Sequence, residues 1–277
     1  MSRERVRDVR AGTPWLLRVP AAVGVLFLLL PLLGMVVRAP WADLPRLLVQ
    51  QQALQALRLS LVTATCATAV ALVVGVPLAY VLARVEGRAV GLLRALVTLP
   101  LVLPPVVGGV ALLLAFGRMG LVGRYLDAWF GVQLPFTTAA VVMAEAFVAL
   151  PFLVVTVEGA LRTADRGLEE AAETLGSRPL ATFGRVTLPL VAPSLLAGSV
   201  LCWARALGEF GATITFAGSR SGITTVMPTA VYEAFETDPD AAVALSLVLL
   251  LVSVAVLTLL RDSWLRPGLA SVAGLRR

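Results

Sequence analysis

Six separated apolar stretches, at 19–37, 59–83, 95–116, 134–157, 186–216 and 241–260, dominate this chain. Each is close to the roughly 20 residues that a helix needs to cross the hydrocarbon core of a bilayer. With 58% of its residues hydrophobic and only 14% charged, the chain lacks the polar surface of a soluble domain. The expectation is an all-α integral membrane protein with six transmembrane helices. The first stretch follows an arginine-rich flank, as a signal peptide would. Its apolar core is longer than a signal sequence needs, however, and Pro40 spoils the cleavage site after Ala39, so it reads as an uncleaved anchor.

All 23 basic residues are arginine, and the sequence contains no Lys, His or Asn. This excludes a P-loop lysine, a Schiff-base lysine and a histidine general base. Cys66 and Cys202 both lie in apolar runs and cannot build a disulfide framework or a four-ligand metal site, so no metal centre and no catalytic residue are expected. A net charge of +6 invites a nucleic-acid reading, but in a membrane chain the placement of arginines matters more than their sum. The N-terminal tail, the second and fourth connections and the C-terminal tail together carry 16 arginines; the opposite side carries 6, and Arg205 lies inside a stretch. The positive-inside rule then predicts cytoplasmic tails at 1–18 and 261–277 around a transmembrane domain at 19–260, with lipid as a partner and nucleic acid excluded.

The least membrane-like segment joins the fourth and fifth stretches. In it, Leu168, Ala171, Ala172 and Leu175 recur at helical spacing, while Glu169, Glu170 and Glu173 occupy the other face. Asp165 is a candidate N-cap, Gly176 a helix stop and Ser177 a cap for a second short helix containing Pro179, on which Leu180 and Phe183 face one way. Acidic residues on the polar face argue against a helix lying on anionic headgroups and favour docking to a cytoplasmic protein. Glu170-Ala171-Ala172, then three residues to Gly176, then nine to Val186, one more, and Leu188-Pro189 resembles the EAA signature of ABC importer permeases, with Val in place of the usual Ile.

That resemblance implies the fold of the binding-protein-dependent transport inner-membrane components, over a core of about 54–260. It makes 165–185 the coupling helices, with Glu170, Ala171, Ala172, Gly176, Phe183, Leu188 and Pro189 contacting an ATPase. It further implies two cytoplasmic ABC ATPase subunits that use ATP and magnesium, no cofactor in this chain, a second permease copy, an extracytoplasmic oxyanion-binding protein, and a bacterial cytoplasmic membrane. The runs 99–120, 204–218 and 224–239 are similar to the molybdate branch of that family, with tungstate as a close substrate and the sulfate/thiosulfate branch as the alternative. An ion-driven secondary transporter leaves the 165–189 pattern unexplained, and a membrane-embedded enzyme has too few reactive side chains.

Two features of the spans carry chemistry. Pro100, Pro104 and Pro105 with Gly108 and Gly109 must interrupt the backbone ladder of the third stretch, which fits either a kinked packing helix or a pathway hinge. In the fifth, Arg205 and Glu209 stand one turn apart, a costly placement unless paired or wetted, and Ala204, Gly208 and Ala212 form a row of small residues. Pro104, Pro105, Arg205, Gly208, Glu209 and Gly211 are the candidate pathway residues. Glu145 in the fourth stretch is conspicuous without a readable partner. The acidic outer segment, with Glu233, Glu236, Asp238 and Asp240 against Arg220, is a poor attractant for an oxyanion, so delivery by a binding protein is expected.

Overall fold

The computed structural model describes residues 15–265; of the expected tails at 1–18 and 261–277, residues 1–14 and 266–277 lie outside the described residues. Among the described residues all regular structure is helical. The elements are α1 (Trp15–Val37), α2 (Leu44–Leu48), α3 (Gln51–Arg84), α4 (Arg88–Val102), α5 (Pro105–Phe116), α6 (Gly123–Phe130), α7 (Thr138–Thr163), α8 (Gly167–Thr174), α9 (Pro179–Thr182), α10 (Leu188–Leu207), α11 (Gly211–Phe216), α12 (Met227–Thr237) and α13 (Pro239–Leu265), with one π-helical turn, Phe183–Thr187, between α9 and α10. Five helical units are long and apolar enough to cross a membrane: α1, α3, α7, the run from α9 through α10, and α13. The pair α4 and α5 supplies a sixth apolar unit, bent by 119° at its break.

The core is the contact of α3 with α7, extended by α10. Its chemistry is that of a membrane bundle: in lipid, apolar area gains nothing by moving from acyl chains to protein, so close van der Waals approach must hold helices together. Small residues permit it. Ala64, Ala67, Ala71 and Ala79 of α3 are buried in one cluster with Ala149, Leu153, Val154 and Val157 of α7, whereas Val62, Val70, Val73 and Val74 point outward. At Gly75 a Cβ would lie 3.2 Å from both Leu150 and Val154 side-chain atoms. In α1, by contrast, no residue is buried, as befits a helix surrounded by lipid or by another chain.

The fifth apolar stretch is not one helix. α10 ends at Leu207, the chain turns through Gly208–Phe210, and α11 begins at Gly211. The expected row of Ala204, Gly208 and Ala212 is therefore split between two helices and a turn. The cause is local: Gly208 is a poor helix residue, and Glu209 finds a better hydrogen bond beyond the helix end than within it.

At one end of the bundle, the last carbonyls of α3 have no successor to bond. Arginines supply the donors. Arg94 Nη2 bonds Leu82 O at 3.0 Å, Arg162 Nη2 bonds the same oxygen at 3.3 Å, and Arg166 Nη2 bonds Ala83 O at 3.2 Å. Buried Glu158 accepts from Arg94 Nε and Arg162 Nε, both at 2.9 Å, closing the cluster. Cations at a helix C-terminus also complement its dipole.

Candidate functional site

Two regions gather the candidate residues. The first is the connector between α7 and α10. Asp165 Oδ1 accepts from Gly167 N at 2.9 Å, but Arg166 occupies the N-cap position of α8 without a side-chain cap bond, so the carboxylate expected to cap the helix instead turns the chain into it from one residue earlier. Its end is a Schellman turn: Ser177 N reaches Ala172 O at 3.0 Å and Gly176 N reaches Glu173 O at 2.9 Å. Gly176 has φ +86°, a left-handed conformation that a side chain strains, while open space surrounds its Cα. Ser177, expected to cap the next helix, instead accepts from the Thr182 hydroxyl at 3.0 Å, and α9 starts on Arg178 and Pro179 without a side-chain cap.

The faces of α8 differ from the periodicity reading in one respect. Leu168, Ala171 and Leu175 present an exposed apolar face, Ala172 is half-buried, and Glu170 and Glu173 are exposed. Glu169 does not share their face. It turns toward the bundle, where its Oε1 meets Arg84 Nη2 at 2.7 Å and accepts from Thr187 Oγ1 at 2.8 Å. Arg84, far away in sequence, is the partner that periodicity could not supply. Leu180 and Phe183 also part company: Leu180 is exposed, and Phe183 packs edge-on against Tyr80 with ring centroids 5.2 Å apart. Leu188 and Pro189 open α10 directly after the π turn.

The second region lies where the two broken spans meet. Pro104 and Pro105 carry no N–H, so the carbonyls of Pro100 and Leu101 lose their helical donors and α4 stops at Val102. Beyond the break, Gly108 N and Val107 N both bond Pro104 O, at 3.2 and 2.9 Å. α5 then packs on α11 with backbones nearly touching. A Cβ on Gly211 would come 2.9 Å from Pro105 Cβ, and one on Gly109 would come 2.7 Å from Thr215 Cβ and 2.8 Å from Ala212 O. The interruption after Val102 and the interruption after Leu207 thus lie against each other, which a kinked helix packed elsewhere would not require.

Within this junction Arg205, in the last turn of α10, pairs with Glu209 at 2.6 Å. Glu209 Oε1 also accepts from Ala212 N at 2.8 Å, so one buried carboxylate neutralises the guanidinium and caps α11. Phe210 stacks on Tyr232 of α12 at 5.1 Å. Of the candidate pathway residues, Pro105 meets Gly211 and Arg205 meets Glu209, two residues before Gly211; Pro104 opens α5 beside Pro105, and Gly208 sits in the turn, where a Cβ would meet only Ala204 O at 3.6 Å. The partner of Glu145 is Thr63 on α3, whose hydroxyl donates to Glu145 Oε1 at 2.9 Å. Nearby, Ser60 Oγ accepts from Met227 N at 2.7 Å, tying α12 to α3. No group of three or more Cys, Asp or Glu with metal-binding geometry occurs among the described residues.

Among the described residues, a helical bundle of apolar spans, some of them broken, with a helical connector at one end has the architecture of a membrane transport subunit. Residues 75–268 match the family described as binding-protein-dependent transport system inner membrane component, and the chain belongs to that family. It is 53% identical over 238 residues to the molybdenum transport system permease protein ModB of Mycobacterium tuberculosis, covering 86% of this chain and 90% of that protein. The probable sulfate transport system permease protein cysT of Zygnema circumcarinatum is 31% identical, with 95% of this chain and 93% of that protein covered. In fold, the chain is similar to a bacterial alginate ABC transporter solved with an alginate-bound periplasmic protein, at TM-score 0.70 and 18% identity over 91% of this chain and 94% of that one. The chain is thus a multi-pass membrane permease subunit.

Proposed function

We propose that this chain is the membrane-spanning subunit of an ATP-driven molybdate importer in a bacterial cytoplasmic membrane. The observation that carries the reading is the 53% identity with the mycobacterial molybdenum permease over nearly the whole of both chains, against 31% for the sulfate relative. Two copies of the chain pair across the membrane, two ABC ATPases bind on the cytoplasmic side, and an extracytoplasmic binding protein delivers the anion. Both termini, the tails at 1–18 and 261–277 and the α8–α9 connector face the cytoplasm, with 19–260 in and around the membrane. The 16 to 6 arginine asymmetry supports that orientation.

On this reading Leu168, Ala171 and Leu175 dock into a cleft on the ATPase, the Gly176 turn fixes the angle between α8 and α9, and Phe183, Leu188 and Pro189 lead the movement into α10. The junction of α5 with α11 is the gate. Its helix breaks allow two rigid halves to pivot, and the Arg205–Glu209 pair keeps a net charge from facing the passing oxyanion. ATP and magnesium are used by the ATPase, and this chain holds no cofactor of its own.

The test is the complex of permease, ATPase and binding protein reconstituted in liposomes. Hydrolysis and uptake are expected to rise with binding protein loaded with molybdate or tungstate and to rise less with sulfate. Equal or greater stimulation by sulfate would transfer the chain to the sulfate branch.

A further inference from the structure

The motif glutamate, Glu170, is exposed, whereas its neighbour Glu169 makes the contacts with the spans. We infer that the Arg84–Glu169–Thr187 junction is the linkage through which α8 moves the membrane bundle, with Glu169 and Arg84 as its positioning residues. This deepens the reading of α8 as the ATPase-docking helix and rests on it.

One carboxylate oxygen of α8 holds α3 and the π turn directly, and α7 through Arg84. Glu169 Oε1 lies 2.7 Å from Arg84 Nη2, and Arg84 is the last residue of α3, the longest helix of the bundle. The other arm of the same guanidinium, Nη1, bonds Leu161 O of α7 at 2.8 Å, so α8 is fastened through one side chain to both principal spans. Thr187 donates to that oxygen from the π turn that opens into α10. The Arg84 guanidinium lies 5.9 Å from the centroid of Tyr80, whose ring meets Phe183 of the same turn. The Arg84 and Glu169 side chains retain 10% and 12% of their surface, so water competes little for these bonds.

Force transmission needs a stiff contact on one side of α8 and a free face on the other. The inward side has the charge-assisted bonds, and the outward side has exposed Leu168, Ala171 and Leu175. The π turn adds to the argument: its wider hydrogen-bonding pattern is a place where a helix yields, and Thr187 ties that yielding point to the same node. A load on α8 therefore reaches α3 and α7 through Arg84 and α10 through Thr187.

The experiment measures anion transported per ATP hydrolysed by the full complex in proteoliposomes, together with copurification of the ATPase. Glu169→Gln is expected to keep the ATPase bound and hydrolysing while transport per ATP falls about five-fold or more, the range that a residue on a coupling route commands. Glu173→Gln, on the same helix, is expected to change the ratio by less than about two-fold, as an exposed charge outside the coupling set should. Should Glu169→Gln fail to accumulate, Thr187→Val removes one bond without altering charge, and the same fall in ratio is expected. A covalent replacement completes the test. With Cys66→Ser and Cys202→Ala as background, Arg84→Cys with Glu169→Cys is expected to be uncoupled when reduced and recoupled by a short bis-thiosulfonate cross-linker.

An unchanged ratio in Glu169→Gln, loss of ATPase binding in that variant, or a cross-linked pair that stays uncoupled would each overturn the linkage. Failure of the docking reading has a separate signature, because Ala171→Trp would then still bind the ATPase.

Discussion

Replacing Arg205 by Ala leaves the carboxylate of Glu209, 1% exposed, with its remaining bond from Ala212 N–H. Stranding one member of a buried ion pair costs about 3–5 kcal/mol. The converse change is milder. Arg205 keeps 27% of its side-chain surface, so in Glu209→Ala the stranded guanidinium still reaches polar surroundings at about 1–2 kcal/mol, to which the lost α11 cap adds about 1 kcal/mol. Removing both residues strands nothing and loses only the cap, about 1 kcal/mol. The singles thus sum to about 5–8 kcal/mol against about 1 for the pair, an interaction energy of several kcal/mol where independent sites agree within about 0.5. Arg205→Ala with Glu209→Gln should come closest to wild type, because the amide oxygen still accepts from Ala212. The assay is denaturant unfolding of the purified permease in mixed micelles, with transport measured in parallel. If the double change equalled the sum of the singles, the pair would not be coupled as drawn, and Arg205 would be free to meet the anion itself.

Three further outcomes are expected. Topology reporters joined after Arg88, after Gly176 and at Arg277 should read cytoplasmic and those near Arg124 or Ser221 external; a reporter at Arg124 on the same side as Arg88 would make the bent α4–α5 pair a re-entrant loop. Gly109→Ala, which sets a methyl 2.7 Å from Thr215 Cβ and 2.8 Å from a backbone oxygen, should destabilise the α5–α11 junction by about 1–3 kcal/mol in micelle unfolding and impair transport more than Gly91→Ala, where the space is open. Gly176→Val and Ala171→Trp should abolish transport with normal membrane insertion, Gly176→Asn should be milder than Gly176→Val because Asn tolerates positive φ, and Glu170→Ala should be milder still, as uptake assays on each variant would reveal.

Spans and breaks were legible because their causes are local. Apolar run length marks a crossing helix, and two consecutive prolines at 104 and 105 remove donors wherever they fall. The α8 boundaries were equally local: Asp165 and Gly176 act within a few residues of themselves. What escaped the sequence depended on partners far along the chain. Glu169 looked like one more acid on a polar face until Arg84 came within 2.7 Å of it, 85 residues away in sequence. Thr63, 82 residues from Glu145, is equally ordinary in its own neighbourhood. The early end of α10 was missed for a different reason. Its cause is local, Gly208 and a Glu209 carboxylate that accepts from Ala212 N three residues on, but hydropathy alone carried the stretch through to 216.

The arginine cluster at the end of α3 has a consequence for what can unlock it. Arg94 holds Glu158 with Nε and Leu82 O with Nη2, and Arg84 holds Glu169 and Leu161 O with its two terminal nitrogens, a two-handed grip that the single ammonium of lysine does not reproduce. The rim of the bundle is therefore fastened by clasps that acetylation has no amine to act on, and that an exchange of arginine for lysine would leave held by one hand.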